Sequence, residues 1–378
     1  MSEIKLIRPD FDSPLQDAIL ELEHLRKLPS LNVTTPPQIF LQLKSLFHKL
    51  ESLGSARIEG NRTTLSQYLS AKERQDSLSE QINEVVNIES ALTYIDENLK
   101  AGDPITEIFI RELHQIVVGN LEREGDRTPG TYRDHQVYIS GSRHIPPSPS
   151  IVPLLVNELV SFINRKDAPK YDLLKVAIAH HRFGWIHPFG NGNGRTVRLL
   201  TYAMLLKYEF NVGIAGRILN PTAVFCCDRD KYYQMLSLAD EDTDEGIEIW
   251  CNYVLQGILE EWKKLDILRD YEQVKEKILF PAIKNAHTKA VISEEDKTIL
   301  LLAINNKSIT VADISKKLEI APSRATYKIR KLKDNHLLET IQGKSREYTV
   351  SLSSHQLIYG VINQLDEFGL IPHALLAP

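Results

Sequence analysis

Cysteine is scarce: of 378 residues only three are cysteine, Cys226, Cys227 and Cys251. They form an odd set, two of them adjacent, without metal-ligand spacing, so neither a disulfide framework nor a cysteine-built zinc site is expected. They read as buried small hydrophobes and suit a reducing cytoplasm. No uninterrupted apolar run approaches the ~20 residues of a membrane span. No basic segment followed by an apolar one opens the chain, so no signal peptide is expected. A Gly-x-x-x-x-Gly-Lys-(Ser/Thr) loop is missing, which argues against a P-loop enzyme. Positive charge is not in excess either: the net charge is −5, so any basic patch for nucleic acid must be local. Internal repeats and low-complexity tracts are absent. What is present, 42% hydrophobic and 25% charged residues, is the composition of a globular chain long enough for two or three domains.

Most of the sequence has helical periodicity. Ile82, Val85, Val86, Leu92, Ile95 and Leu99 recur on one face, and 105–121 continues the pattern after an Ala-Gly-Asp-Pro break. Further helices are expected over 151–164, 173–185, 196–206, 229–239 and 245–268. Residues 137–145, with β-formers either side of Ser140-Gly141-Ser142, predict a hairpin. A charged stretch, 268–277, leads toward a second unit. There, helices are expected over 297–304, 311–318 and 323–332, with strands over 335–340 and 346–350 around Gln342-Gly343-Lys344. Three helices and a hairpin of this length resemble a winged helix-turn-helix. Its third helix and wing carry Arg324, Lys328, Arg330, Lys331, Lys333, Lys344 and Arg346, a local excess that suits a phosphate backbone. A basic solvated face on a protein-interaction module is the plainer alternative.

One stretch stands apart. His187-Pro188-Phe189-Gly190-Asn191-Gly192-Asn193-Gly194-Arg195, with Arg198 one turn later, sets an imidazole beside a glycine-rich loop that enters an apolar helix. Free N–H groups at a helix N-terminus attract anions, and arginine adds bidentate donors for phosphate. The segment reads as a phosphate cradle with a general base at its lip.

This stretch resembles the signature of the Fic family, His-Pro-Phe-x-(Asp/Glu)-Gly-Asn-Gly-Arg-x-x-Arg. The resemblance covers roughly 105–265 and implies a mainly α fold, an all-helical core with a short β-hairpin flap. It implies a protein adenylyltransferase that moves AMP from ATP, with Mg²⁺, onto a Ser, Thr or Tyr hydroxyl of a target protein, and it allows self-modification and a homodimer. Carried over, His187 takes the hydroxyl proton, Phe189 pins the loop, and Gly192, Asn193 and Gly194 offer N–H groups to phosphate. Arg195 and Arg198 then neutralise the polyphosphate. Residues 137–145 fall where the family has its flap, which brings Ser142, Arg143 and His144 to the nucleotide, and Gly130-Thr131-Tyr132-Arg133 resembles the approach to it. Tyr232, Tyr233 and Asp240 fall where relatives line the adenine and ribose pocket. Asn191 departs from the pattern, because the family's carboxylate there helps to hold Mg²⁺ and a neutral carbonyl is a poorer ligand for a hard cation.

Upstream, Ser55-Ala56-Arg57-Ile58-Glu59-Gly60-Asn61 resembles the family's inhibitory motif, (Ser/Thr)-x-x-x-Glu-(Gly/Asn), which implies that Glu59 pairs with Arg198 and fills the place of the γ-phosphate. The expected organisation is therefore an inhibitory helical region (1–100), the catalytic core (101–268), a helical linker (269–290), the winged helix (291–352) and a tail (353–378). Two other readings remain open: a transcriptional regulator whose core senses nucleotide or modifies itself, and the same scaffold with other chemistry, namely phosphate transfer, phosphocholine transfer or removal of AMP. Gly194 favours AMP transfer over phosphorylation, since family members that phosphorylate tend to have lysine there.

Overall fold

The structure, a computed structural model, describes residues 4–27, 34–74, 78–210 and 221–371. The chain opens with α1 (Pro14–Lys27), α2 (Pro37–Ile58), α3 (Leu65–Arg74), α4 (Glu80–Asn98) and α5 (Glu107–Val118). A long connection leads to α6 (Val152–Asn164), α7 (Asp172–Ile186) and α8 (Asn193–Lys207), then α9 (Pro221–Cys226), α10 (Arg229–Ala239) and α11 (Asp244–Arg269). The starts are set by side chains that accept from the otherwise orphaned N–H groups: Ser79 for α4, Thr106 for α5, Asp228 for α10 and Thr243 for α11.

Helix α8 is the axis of this part. From Arg195 to Leu206 every residue is buried, which is the pattern of a helix covered on all sides rather than an amphipathic surface helix. Helices α7, α5 and α4 pack against it, α2 lies across α4, and α11 covers α7. Trp250 ties α11 to α7 by donating to the Ala177 carbonyl at 2.7 Å. The loop 187–192 is thus the bend between two core helices, and its geometry is set by their packing.

Beyond α11 the chain continues through α12 (Tyr271–Val274), a π-helical turn (Lys275–Leu279) and α13 (Phe280–Thr288). Next come α14 (Glu294–Asn306), α15 (Val311–Leu318) and α16 (Pro322–Asp334). Helices α14 and α15 each begin with a capping box, Ser293 with Asp296 and Thr310 with Asp313. Strands β1 (Leu338–Thr340) and β2 (Tyr348–Val350) pair antiparallel with Glu339 opposite Thr349, and Ile309 adds a bridge to Tyr348. Residues 353–378, expected as a tail, include α17 (His355–Glu367), which packs on α13. The end of that stretch, 372–378, lies outside the described residues.

The hairpin expected over 137–145 is only half formed. Ser142 donates to the Ile139 carbonyl at 3.1 Å, closing the turn, but the arms form no ladder among the described residues. Tyr138 and Ile145 are 77% and 65% exposed, so these β-formers find no surface to pack against. An isolated two-stranded ribbon without a packed face is marginal in water.

Candidate active site

The loop between α7 and α8 begins with an unusual backbone. His187 caps α7 in the left-handed region, φ 50° and ψ 61°, where few residues other than glycine are found. Two contacts hold it: its N–H donates to Phe183 O at 3.0 Å, and its carbonyl accepts from Arg133 Nε at 2.8 Å. Arg133 is 4% exposed and also donates to the carbonyls of His135 and Pro147, on either side of the turn at 140–142. One guanidinium therefore fixes the flap segment and the histidine together. The sequence marked Arg133 only as part of a motif.

The imidazole that results has a defined tautomer. A carbonyl only accepts, so the contact of His187 Nδ1 with Gly184 O at 3.3 Å places the proton on Nδ1 and leaves the Nε2 lone pair free. Burial pushes the His187 pKa down to about 4, against a smaller upward pull from the Gly184 carbonyl. The ring is neutral at physiological pH, as a base must be. We expect kcat/KM of the Glu59→Gly variant to stay level as pH falls through 6.5 and to drop only toward about 4; an acid limb centred at the ordinary histidine value would contradict this. The same shift destabilises the fold in acid. Below pH 6.5 the unfolded chain binds a proton that the folded site refuses, so this contribution to stability declines from 6.5 down to about 4.

The loop consumes many of its own polar groups to hold its shape. Phe189 is fully buried and stacks on His114, with centroids 3.7 Å apart and the rings parallel within 2°. The Asn193 side chain brackets Phe189, accepting from its N–H and donating to its carbonyl, both at 2.9 Å. Asn191 turns inward: Nδ2 donates to Gly125 O at 3.1 Å and Oδ1 accepts from Gly192 N–H at 2.7 Å. The oxygen expected to face a metal therefore already accepts one hydrogen bond, and the Gly192 N–H expected to face phosphate is used up in it. Gly192 itself has φ 73°, and a Cβ there would meet Val118. The N–H groups of Asn193, Gly194 and Arg195 have no acceptor among the described residues and mark the start of α8.

The two arginines part company. Arg195 faces away from the cavity, with Nη1 2.9 Å from Glu84 Oε1 and Nη2 donating to Glu124 O at 2.7 Å. Burial lifts the Glu84 carboxyl above its ordinary range, while Arg195 and the Asn61 amide pull it down. Both partners are buried, so Glu84→Ala strands a guanidinium in the core and should cost about 3–5 kcal/mol, read as a lower Tm. An unchanged Tm would refute a paired role for Glu84.

Arg198 faces the cavity and meets Glu59. Its Nη2 donates to Glu59 Oε1 at 2.7 Å and to Ser55 O at 3.0 Å, and its Nε donates to Ser55 Oγ at 2.9 Å. Ser55 and Glu59 lie one helical turn apart at the end of α2, so one face of that helix supplies all three acceptors. Burial alone would raise the Glu59 pKa, but Arg198, with Arg195 and Arg229 behind it, holds it below its ordinary value of 4.5. The pair is therefore complete at neutral pH and is lost as acid drives the pH down through that lowered value. The carboxylate also lies against Gly194, where any Cβ would overlap it.

These groups surround a cavity of about 520 Å³, within the usual range for a small-ligand site. Glu59, Ser142, His144, His187, Asn193, Gly194, Arg198, Tyr232, Tyr233 and Asp240 all line it. Of the expected residues Arg143, Asn191, Gly192 and Arg195 do not. His180, His181, Trp185 and Arg229 line it without having been singled out. His180 Nδ1 donates to Thr201 Oγ1 at 2.7 Å and its Nε2 accepts from the Tyr232 hydroxyl at 2.9 Å, while His181 donates to Asp240 at 2.9 Å. His180 and Gly184 are four apart on one face of α7, and the Gly184 carbonyl in turn meets the ring of His187, the residue that caps the helix.

An imidazole with a free lone pair, an N-terminal helix turn and a buried arginine converge here on one cavity, and comparison with known proteins shows what this region is similar to. The Fic/DOC family matches residues 104–205, spanning α5 to α8. The match to the Fic domain is confined to that stretch. Curated relatives include the protein adenylyltransferase Fic of Aedes aegypti, 34% identical over 194 residues, 50% of this chain and 36% of that protein. The Drosophila melanogaster protein of the same name is 34% identical over 193 residues, with the same coverage. The matched region thus spans about a third of these relatives' own length. Among solved structures, a Fic family protein from Desulfovibrio desulfuricans has a similar fold over 93% of this chain and 98% of its own, with TM-score 0.55 and 18% identity. Fic-1 of Caenorhabditis elegans covers 66% of this chain, with TM-score 0.51 and 22% identity. The Fic domain accounts for α7, α8 and the loop between them, whereas Glu59 reaches its cavity from α2, outside the matched residues.

Proposed function

We propose that this chain is a protein adenylyltransferase that moves AMP from ATP to a hydroxyl side chain of a protein, held off by Glu59. The observation that carries the reading is the neutral, lone-pair-bearing imidazole of His187 facing the same cavity as the α8 N-terminus and Arg198. Triphosphate lies along the free N–H groups of Asn193, Gly194 and Arg195, with its terminal charge toward Arg198. The target hydroxyl oxygen attacks the α-phosphorus while its proton passes to His187 Nε2. The bond from that phosphorus to the bridging oxygen breaks, and pyrophosphate leaves. Tyr232, Tyr233 and Asp240 stand where the adenosine would extend.

ATP carries Mg²⁺ in solution, but the residues present do not build a metal site. Among the described residues no group of three or more His, Cys, Asp and Glu could hold an ion, and Asn191, whose neutral Oδ1 accepts from Gly192 N–H, does not line the cavity. No step above runs through a protein-held ion; phosphate oxygens and water are left to coordinate it. The carboxylate of Glu59 against Gly194 and Arg198 supports the brake, because a polyphosphate entering there meets a negative charge and loses its arginine. No described helix is long and apolar enough to cross a membrane, and the free cysteines suit the cytoplasm as the working compartment.

Intact-mass measurement of Glu59→Gly incubated with ATP and Mg²⁺ tests the proposal. We expect the mass of AMP to appear on the protein or on a co-incubated target. A phosphate-sized increment, or none with fold intact, would reject it.

A second reading concerns the C-terminal unit. Arg324, Arg330, Lys331, Lys333, Lys344 and Arg346 are exposed on α16 and the hairpin loop, which supports a winged helix that meets a nucleic-acid backbone. Duplex binding that weakens steeply with salt is the expected result; salt-independent binding, or none, would reject it.

A further inference from the structure

Helix α2 carries the inhibitory Ser55 and Glu59 at its C-terminal end. Its N-terminal end is gripped by the C-terminal unit. Gln38 and Gln42, one turn apart and so on one face, both donate from Nε2 to Glu339 Oε1 of β1, each at 3.0 Å. Gln42 reaches β2 as well: the same Nε2 donates to Val350 O at 3.0 Å, and its Oε1 accepts from Leu352 N–H. The Gln42 amide thus pairs with the strand edge as a neighbouring strand would, offering one donor and one acceptor. Gln38, Gln42 and Glu339 are half-buried, so water competes only in part for these bonds. Between this grip and Glu59 lies an uninterrupted helix, Pro37–Ile58, whose packed face includes Leu43, Leu46, Leu50 and Leu53. From Gln42 to Glu59 it runs about 25 Å at 1.5 Å per residue. A helix is stiff along its length, so a shift at one end is delivered to the other.

We propose that Gln38 and Gln42 are positioning residues for the brake, and that docking of the β1–β2 hairpin on α2 is what holds Glu59 on Arg198. The inference rests on the adenylyltransferase reading for its activity readout and deepens it by naming what regulates the site. The C-terminal unit then belongs to the inhibitory apparatus: moving the hairpin off α2 frees the far end of the helix and with it the cavity. This contact lies outside the residues that match the Fic family.

The test uses the full chain with charge-reversing and restoring variants. Gln42→Glu sets a carboxylate against Glu339 and removes the donor to Val350. It should raise AMP transfer by about fivefold or more, and should add nothing in a Glu59→Gly background, where no brake is left to release. Adding Glu339→Gln to Gln42→Glu restores a donor facing the new carboxylate and should bring transfer back toward wild type. Transfer unchanged by Gln42→Glu while Glu59→Gly raises it would overturn the coupling. If Glu59→Gly itself gives no transfer, the adenylyltransferase reading has failed, and amide exchange at Arg57–Asn61 decides the coupling alone. Faster exchange there in folded Gln42→Glu supports it, and unchanged exchange overturns it.

Discussion

Replacing Glu59 with glycine is expected to raise AMP transfer by about tenfold or more, within the range of a coupling worth 1–3 kcal/mol. The carboxylate occupies the ground that a polyphosphate needs. It holds Arg198 at 2.7 Å and lies against the Gly194 backbone, on the anion-binding end of α8. Its removal opens that space and returns the guanidinium to the nucleotide. Stability should move the other way. Arg198 is 1% exposed on its side chain, and without Glu59 it loses its carboxylate partner and keeps only neutral ones, the Ser55 oxygens and the Tyr232 hydroxyl among them. The Tm of Glu59→Gly should therefore fall in buffer and recover in excess ATP, as binding to the folded state alone requires. Activity up with stability down distinguishes a brake from a structural pair. A structural pair would lose both together.

The second large effect is loss of the base. His187→Ala, made in the Glu59→Gly background so that the cavity is open, should lower transfer by about 10²–10⁴. The loop should survive, since Phe189 stacked on His114 and the Asn193 bracket fix its course without the imidazole. Arg133 binds the carbonyl of residue 187 and not its ring, so the backbone anchor is retained as well. Near-normal nucleotide affinity with lost turnover is the expected split, measured as binding and single-turnover rate on one preparation. Transfer that persists in this variant would mean that the proton leaves by another route and that the imidazole has been given the wrong role.

Local sequence carried the parts of the site that depend on one segment. The loop composition, the apolar helix behind it and the four-residue step from Ser55 to Glu59 were all legible, as was the pairing of Glu59 with Arg198 through family resemblance. What stayed hidden depends on partners far along the chain. Nothing near Arg195 indicates that Glu84, on another helix, claims it. Nothing near Asn191 indicates that its oxygen is consumed by the very next N–H. A motif names the polar groups of a loop but not which of them are used up in holding it. Only the ladder of the flap is missing, for a related reason: β-formers on either side of a turn predict pairing, yet Tyr138 and Ile145 have no sheet or core to cover. The grip of Gln42 on the hairpin joins residues about 300 apart in sequence, where no periodicity could reveal it. The histidines of α7 are the exception. His180 lies one helical turn before Gly184, whose carbonyl meets the His187 ring, and that short spacing was readable in advance.

The most direct test of the chemistry follows the phosphorus. Glu59→Gly should be incubated in parallel with ATP labelled at the α-phosphorus and at the γ-phosphorus, and the protein fraction counted after denaturation. Label should remain on protein from the α-position only, with the γ-label released as pyrophosphate, and His187→Ala should abolish the α-signal. Retention of γ-label without α-label would show that phosphate, not AMP, is moved across this cavity, and the reading built on His187 and the α8 N-terminus would be wrong.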